Sequence, residues 1–205
     1  MSKLINNVFL GTCGSANNQL SYPYSLTRDS TTGTLYIADT NNHRIMSYTV
    51  GATTGTVFAG GNGQGRNTNQ LDYPIGLYYD SSTASLVIAN AGANNIVRWN
   101  AGASSWTLLA GSVSGTIGAT STLLFYPVGV TFDQYGNMYV ADTYNHRIQF
   151  FSAGQTTGIT IVGVTSTPGS NATLLSFPYT VILDNDLNLY VGDGNNNRVQ
   201  KFERY

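Results

Sequence analysis

Charge is scarce in this 205-residue sequence: Asp, Glu, Lys and Arg together make up 9%, with a formal net charge of -1. A soluble chain usually carries about a quarter. Without clustered Lys and Arg there is little to displace counterions from phosphates, which argues against nucleic-acid binding and against electrostatic docking on anionic lipid. Cysteine occurs once, at Cys13. That excludes an intramolecular disulfide and a cysteine-built zinc site, and a lone cysteine is expected to be a small buried apolar residue. No apolar run approaches the roughly 18 residues of a membrane span, and the apolar stretch near the N-terminus is too short for a signal peptide. No segment carries a helical period. Histidine occurs twice, at His43 and His146, and glutamate once, at Glu203. There is no Gly-x-Ser-x-Gly elbow and no phosphate loop with Lys, and the glycines from Gly60 to Gly65 precede no helix. The usual catalytic inventory is nearly empty, and the expectation is a protein that is not an enzyme.

In place of charge the chain has Asn, Thr, Ser and Gly, a polar but nearly neutral surface. That composition, with the sequon Asn171-Ala172-Thr173, would suit an extracellular protein. Hydrophobic residues reach 41%, enough for a substantial core. The organising feature is repetition. "ADTNNHRI" from Ala38, "ADTYNHRI" from Ala141 and "GDGNNNRV" from Gly192 nearly coincide, and "ANAGANNI" from Ala89 is a degraded copy. Each follows an aromatic-Pro pair, at Tyr22-Pro23, Tyr73-Pro74, Tyr126-Pro127 and Phe177-Pro178, so the prolines are 51, 53 and 51 residues apart. A period of this length marks a repeat architecture.

Within each copy short β-rich runs alternate with Gly, Asn and Asp turns. Strands are predicted over 75–79 and 128–132, then 35–38, 86–89, 138–141 and 189–191. A third set follows at 44–48, 96–99, 147–151 and 198–202, and a fourth at 56–59, 106–110 and 159–162. Four antiparallel strands per repeat describe one propeller blade. The predicted fold is therefore all-β: a single propeller domain, 1–205, of four four-stranded blades. Their boundaries are about 20–70, 71–123, 124–174, and 175–205 completed by 1–19. In the last blade the strand around Val8 to Leu10, which is similar to Val57 to Ala59, is expected to supply the fourth position. It would do so within one chain or between chains, giving a monomer or a strand-exchanged homo-oligomer, and it would cover a free sheet edge.

The third copy carries Tyr126, Asp133, Gly136, Asn137, Tyr139, Val140, Ala141, Asp142, Asn145, His146, Arg147 and Ile148 in a pattern that resembles the NHL repeat. The first copy keeps Asp39, Asn42, His43, Arg44 and Ile45. The fourth keeps Asp193, Asn196 and Arg198 but has Asn197 at the histidine's place, and the second has Asn90 and Asn95 for the Asp and Arg. The resemblance implies a β-propeller, typically six-bladed in that family. Some related propellers are lyases that use histidines on a zinc, and lactonase-like ones hold calcium with central carboxylates.

Here both histidines sit at the repeat's fixed position, on non-adjacent blades, and are expected to serve the fold rather than a metal. The recurring Asp39/Arg44, Asp142/Arg147 and Asp193/Arg198 pairs, and the turn residues Asp29, Asp80, Asp133 and Asp184, read as scaffold as well. Few carboxylates remain for calcium, and no cofactor is expected. What can differ between copies is one face of the propeller. It collects asparagine-rich turns and the starts of the innermost strands, with Tyr22, Tyr24, Tyr73, Tyr126, Phe177 and Tyr179. The aromatic before each Pro is periodic and has packing as its simplest role. Tyr24 and Tyr179 are better binding candidates, because Ile75 and Val128 take their place in other copies. The expected function is a non-enzymatic scaffold binding an unidentified protein, a peptide or a small polar ligand. The alternatives are a metal-dependent lyase or lactonase-like enzyme, and a propeller fragment or engineered repeat protein without activity of its own.

Overall fold

A computed structural model describes residues 11–204. Blade 1 is β1 (Pro23–Arg28), β2 (Leu35–Asp39), β3 (Arg44–Tyr48) and β4 (Thr56–Gly60). Blade 2 is β5 (Pro74–Asp80), β6 (Ser85–Asn90), β7 (Asn95–Asn100) and β8 (Thr107–Gly111). Blade 3 is β9 (Pro127–Phe132), β10 (Met138–Asp142), β11 (Arg147–Phe151) and β12 (Ile159–Gly163). Blade 4 contributes β13 (Pro178–Leu183), β14 (Leu189–Asp193) and β15 (Arg198–Phe202). Each blade is an antiparallel sheet with its strands in chain order. The fold is thus the expected all-β, four-blade propeller arrangement, and the strand boundaries fall within a residue or two of those expected. The anticipated strand around Val8 to Leu10 lies outside the described residues.

The repeat motif builds the turn from the second to the third strand of each blade. One 3₁₀ turn forms there and closes on a residue in the left-handed region: His43, Asn94, His146 and Asn197, with φ of 52°, 55°, 55° and 52°. The acid before the turn has two tasks. Asp39 Oδ1 accepts the Ser21 N–H at 2.6 Å, and its Oδ2 accepts Arg44 Nε at 2.7 Å. Asp142 and Asp193 repeat both bonds, with Phe125 and Arg147 and with Ser176 and Arg198. The other guanidinium nitrogens reach carbonyls of the loop that enters the blade: Ser15, Ala16 and Gln19 for Arg44, and Ala119, Thr120 and Leu123 for Arg147. A planar fork with five donors suits this task. Gly60, Gly111 and Gly163 then end the fourth strands at positive φ, where a side chain would strike the carbonyl of His43, Asn94 or His146. Those positions require glycine.

The core lies between blades. Ala38, Ile45 and Ala59 of blade 1 pack against Leu86, Ile88, Val97 and Trp99 of blade 2. Val87, Ala89 and Ile96 meet Val130, Met138, Val140 and Phe151. Ala141, Ile148 and Val162 meet Val181, Leu189 and Val191. The innermost strands follow the same succession, β1 on β5, β5 on β9 and β9 on β13, while no comparable packing joins β13 to β1 among the described residues. Cys13 departs from expectation. It is exposed, because it sits in the loop before β1 rather than on a strand facing the core, and its Sγ lies 3.2 Å from Ser21 Oγ.

Candidate ligand-binding mouth

The inner strands of all four blades line a central channel of about 460 Å³. At the end where the 3₁₀ turns lie, a cavity of about 280 Å³ is lined by Tyr22, Tyr24, Tyr73, Tyr126, Tyr144 and Tyr179, with Thr40, Asn41, Ile75 and Val128. Five of the six expected aromatic residues meet there. Phe177 does not line it. Its ring packs edge-on against His146, with centroids 4.6 Å apart, and against Tyr144 at 5.2 Å. Tyr144 is the addition that sequence reasoning missed. It occupies the second place of the 3₁₀ turn, where the other blades have Asn41, Gly92 and Asn195. The signal was a single letter, the Tyr that distinguishes "ADTYNHRI" from "ADTNNHRI".

The periodic aromatics are held in an unusual backbone. Tyr22, Tyr73, Tyr126 and Phe177 all have φ between 45° and 51°, although each is a non-glycine residue before proline, where extended backbone is the norm. The preceding blade secures three of them. His43 Nδ1 accepts the Tyr73 N–H at 3.1 Å, Asn94 Oδ1 the Tyr126 N–H at 2.9 Å, and His146 Nδ1 the Phe177 N–H at 3.1 Å. The histidine rings also meet the aromatic rings they serve, His43 lying 4.6 Å from Tyr73 between centroids. An imidazole that accepts at Nδ1 must be neutral, with its proton on Nε2. Burial pushes both histidines below their ordinary pKa, against the opposing pull of Asp72 on His43 and of Asp193 on His146.

Tyr126 stacks on Tyr144, with centroids 4.9 Å apart and planes 27° from parallel. Burial, then the neighbouring Tyr144, Tyr24 and Tyr73, raises the Tyr126 phenol, which therefore stays protonated. The carboxylates sit elsewhere. Burial pushes Asp142 up despite its bonds, whereas at Asp193, whose partner Arg198 is 28% exposed, the bonds outweigh burial and the carboxyl lies low. Among the described residues no three of His, Cys, Asp and Glu come together as metal ligands would.

Residues 126–151 match the NHL repeat. The third blade is an NHL repeat. It is the copy that carries the motif most fully, and the mouth's additional tyrosine stands within it. No curated protein matches the chain in sequence. Solved structures do match in fold. One is a protein of unknown function from Bacteroides thetaiotaomicron, with TM-score 0.69, 16% identity and coverage of 86% of this chain and 46% of that one. An auxiliary nutrient binding protein from the same organism gives TM-score 0.66 and 14% identity over 86% of this chain and 46% of its own. A streptogramin B lyase gives TM-score 0.59 and 15% identity over 88% of this chain and 51% of its own. The chain thus spans about half the length of these structures, and at such identities the likeness shows the propeller fold alone.

Proposed function

We propose that this NHL-type propeller is a binding module rather than an enzyme, and that its ligand site is the tyrosine-lined mouth of the central channel. One observation carries the reading. Tyr24 and Tyr179, at one place in the repeat, and Tyr144, at another, differ from the residues other blades carry there, yet all three side chains reach one cavity. Scaffold residues recur because each blade has the same packing to satisfy. Residues that depart from the repeat and converge on one place are better explained by a ligand. The similarity to a nutrient binding protein is compatible with this reading. A metal-dependent lyase finds less support, since both histidine Nδ1 atoms are engaged by backbone N–H groups of the next blade.

The repeat itself supplies the test. Tyr24→Ile, Tyr144→Asn and Tyr179→Val each install the residue that another blade carries at that place. The triple variant should keep its melting temperature within a few degrees. In an NMR screen of small neutral, cationic and anionic compounds, hits that shift the mouth tyrosine signals should disappear in the triple variant. If no compound shifts them in the original chain, the binding reading is wrong. Stoichiometric zinc in protein purified without chelator, lost in His146→Ala, would put the lyase reading first.

A further inference from the structure

We infer that the ligand of this mouth is a neutral ring-shaped polyol, a sugar of pyranose type; the inference rests on the mouth being the binding site. Three properties of the cavity lead there. The first is charge. Nothing that lines it is a carboxylate, an ammonium, a guanidinium or an imidazole. The nearby acid Asp72 is 8% exposed, and its Oδ1 accepts Gln64 Nε2 at 2.8 Å. An ion entering here would shed water without meeting a counter-charge, which is costly.

The second property is uncommitted polarity. Among the described residues none of the six tyrosine hydroxyls makes a hydrogen bond within the protein, and neither does the side-chain amide of Asn41. Elsewhere Tyr48, Tyr139 and Tyr190 donate their hydroxyls to Asn17 O, Asp133 and Asp184. A phenol hydroxyl both donates and accepts, and an amide does so through different atoms. Several such groups around a small space match a ligand whose own groups are hydroxyls.

The third property is the flat apolar surface between those groups. Tyr22, Tyr24, Tyr144 and Tyr179 are 70%, 65%, 41% and 45% exposed, so their faces are accessible. Tyr144 is braced from behind by its stack on Tyr126. A tyrosine offers rigid apolar area with a polar tip at low entropic cost. A pyranose presents the complementary pattern, an axial C–H face with hydroxyls around its edge. At about 280 Å³ the cavity lies near the small end of small-molecule sites, which suits one or two rings better than a peptide.

The experiment is an NMR titration of the full chain with methyl glucoside, methyl galactoside and methyl mannoside. Tetramethylammonium and acetate are titrated at the same concentrations. At least one glycoside should shift the mouth tyrosine signals saturably. Its affinity should fall at least tenfold in Tyr144→Asn and in Tyr24→Ile, and stay within twofold in Tyr135→Ala, an exposed tyrosine in the turn between β9 and β10. Tetramethylammonium can bind tyrosine faces through cation–π attraction. A saturable response to it with none to the glycosides would overturn the polyol assignment and leave the mouth as a binding site. Silence from all five probes overturns the assignment too, and a silent broader screen would then remove the mouth itself.

Discussion

A proton on His43 or His146 would turn the Nδ1 atom that accepts the next blade's N–H into a donor facing a donor. Each clasp is a single hydrogen bond, worth about 1 kcal/mol, and it secures an aromatic residue in strained backbone. The fold lowers the pKa of both groups, so below the ordinary value of 6.5 the unfolded chain binds more protons than the folded one. Stability is therefore full above that pH and declines as pH falls through the lowered folded values. Blade 2 already contains the pH-insensitive version, since Asn94 makes the same clasp with an amide oxygen and tolerates the same left-handed backbone. The His43→Asn/His146→Asn double variant should match the original chain near pH 8 and lose less stability between pH 7 and pH 5 in urea melts. Equal slopes in the two proteins would show that the clasps are not the titrating element. The histidines were legible as scaffold from their fixed place in the repeat. That they reach across to the next blade was not, because nothing in a local motif specifies a partner 30 or 31 residues later.

At the scale of the blade, the second copy shows how a degraded motif keeps its shape. Asn90 Oδ1 still accepts the entering N–H, from Asp72 at 2.7 Å, and Asn90 Nδ2 donates to Asn95 Oδ1 at 3.1 Å. An amide pair thus replaces the ion pair without placing a charge in the core. Asn95 is too short to reach the entering loop as arginine does, and its Nδ2 goes to Ser112 O instead. The loop carbonyl left over, that of Gln70, is taken by the indole N–H of Trp106 at 2.9 Å. Gln19, Leu123 and Leu174 are its counterparts, and the carbonyl oxygen of each accepts from an arginine. Trp106 stands where blades 1 and 3 have Gly55 and Gly158, so two departures from the repeat compensate one another. Trp106→Phe keeps most of the buried ring and removes the bond. Amides of the 62–71 loop should then exchange about tenfold faster, while those of 118–124 stay unchanged. With fewer anchors to its loop than Arg147 provides, the Ala89 to Ile96 turn should also open more readily than the Ala141 to Ile148 turn. Equal protection would count against this. Strand order and turn positions could be read from the sequence because Gly, Asn and Asp punctuate every copy. The Trp106 exchange could not, since it joins residues that are distant in sequence and alike in no other blade. Tyr24 and Tyr179 were readable as mouth residues by contrast with Ile75 and Val128, whereas Tyr144 lay inside the best-matched motif, where a polar turn position looks free to vary.

Across the whole molecule the blades share one interface design, and its use stops at the two ends of the array. In each internal junction an isoleucine of the third strand packs on the following blade. Ile45, Ile96 and Ile148 are all 0% exposed, whereas Val199, their counterpart in blade 4, is 71% exposed. The receiving side shows the same break. Val130 and Val181 on the inner strands are 8% and 2% exposed, and Leu26, at the equivalent place in blade 1, is 66% exposed. Leu26 and Val199 are thus the two halves of a fourth junction that the described residues leave unmade. Energetics can report whether it is made in solution. Ile148→Ala removes buried methyl groups from a packed interface and should cost about 2–5 kcal/mol. Val199→Ala, at an open surface, should cost no more than about 0.5 kcal/mol. The two variants can be compared by urea denaturation at several protein concentrations. A Val199→Ala penalty of the same size as that of Ile148→Ala would mean that something covers this face. If the penalty is independent of concentration, blade 1 of the same chain closes the ring. If it grows as the original chain is concentrated, a second copy supplies the missing half, as a head-to-tail contact between identical subunits would.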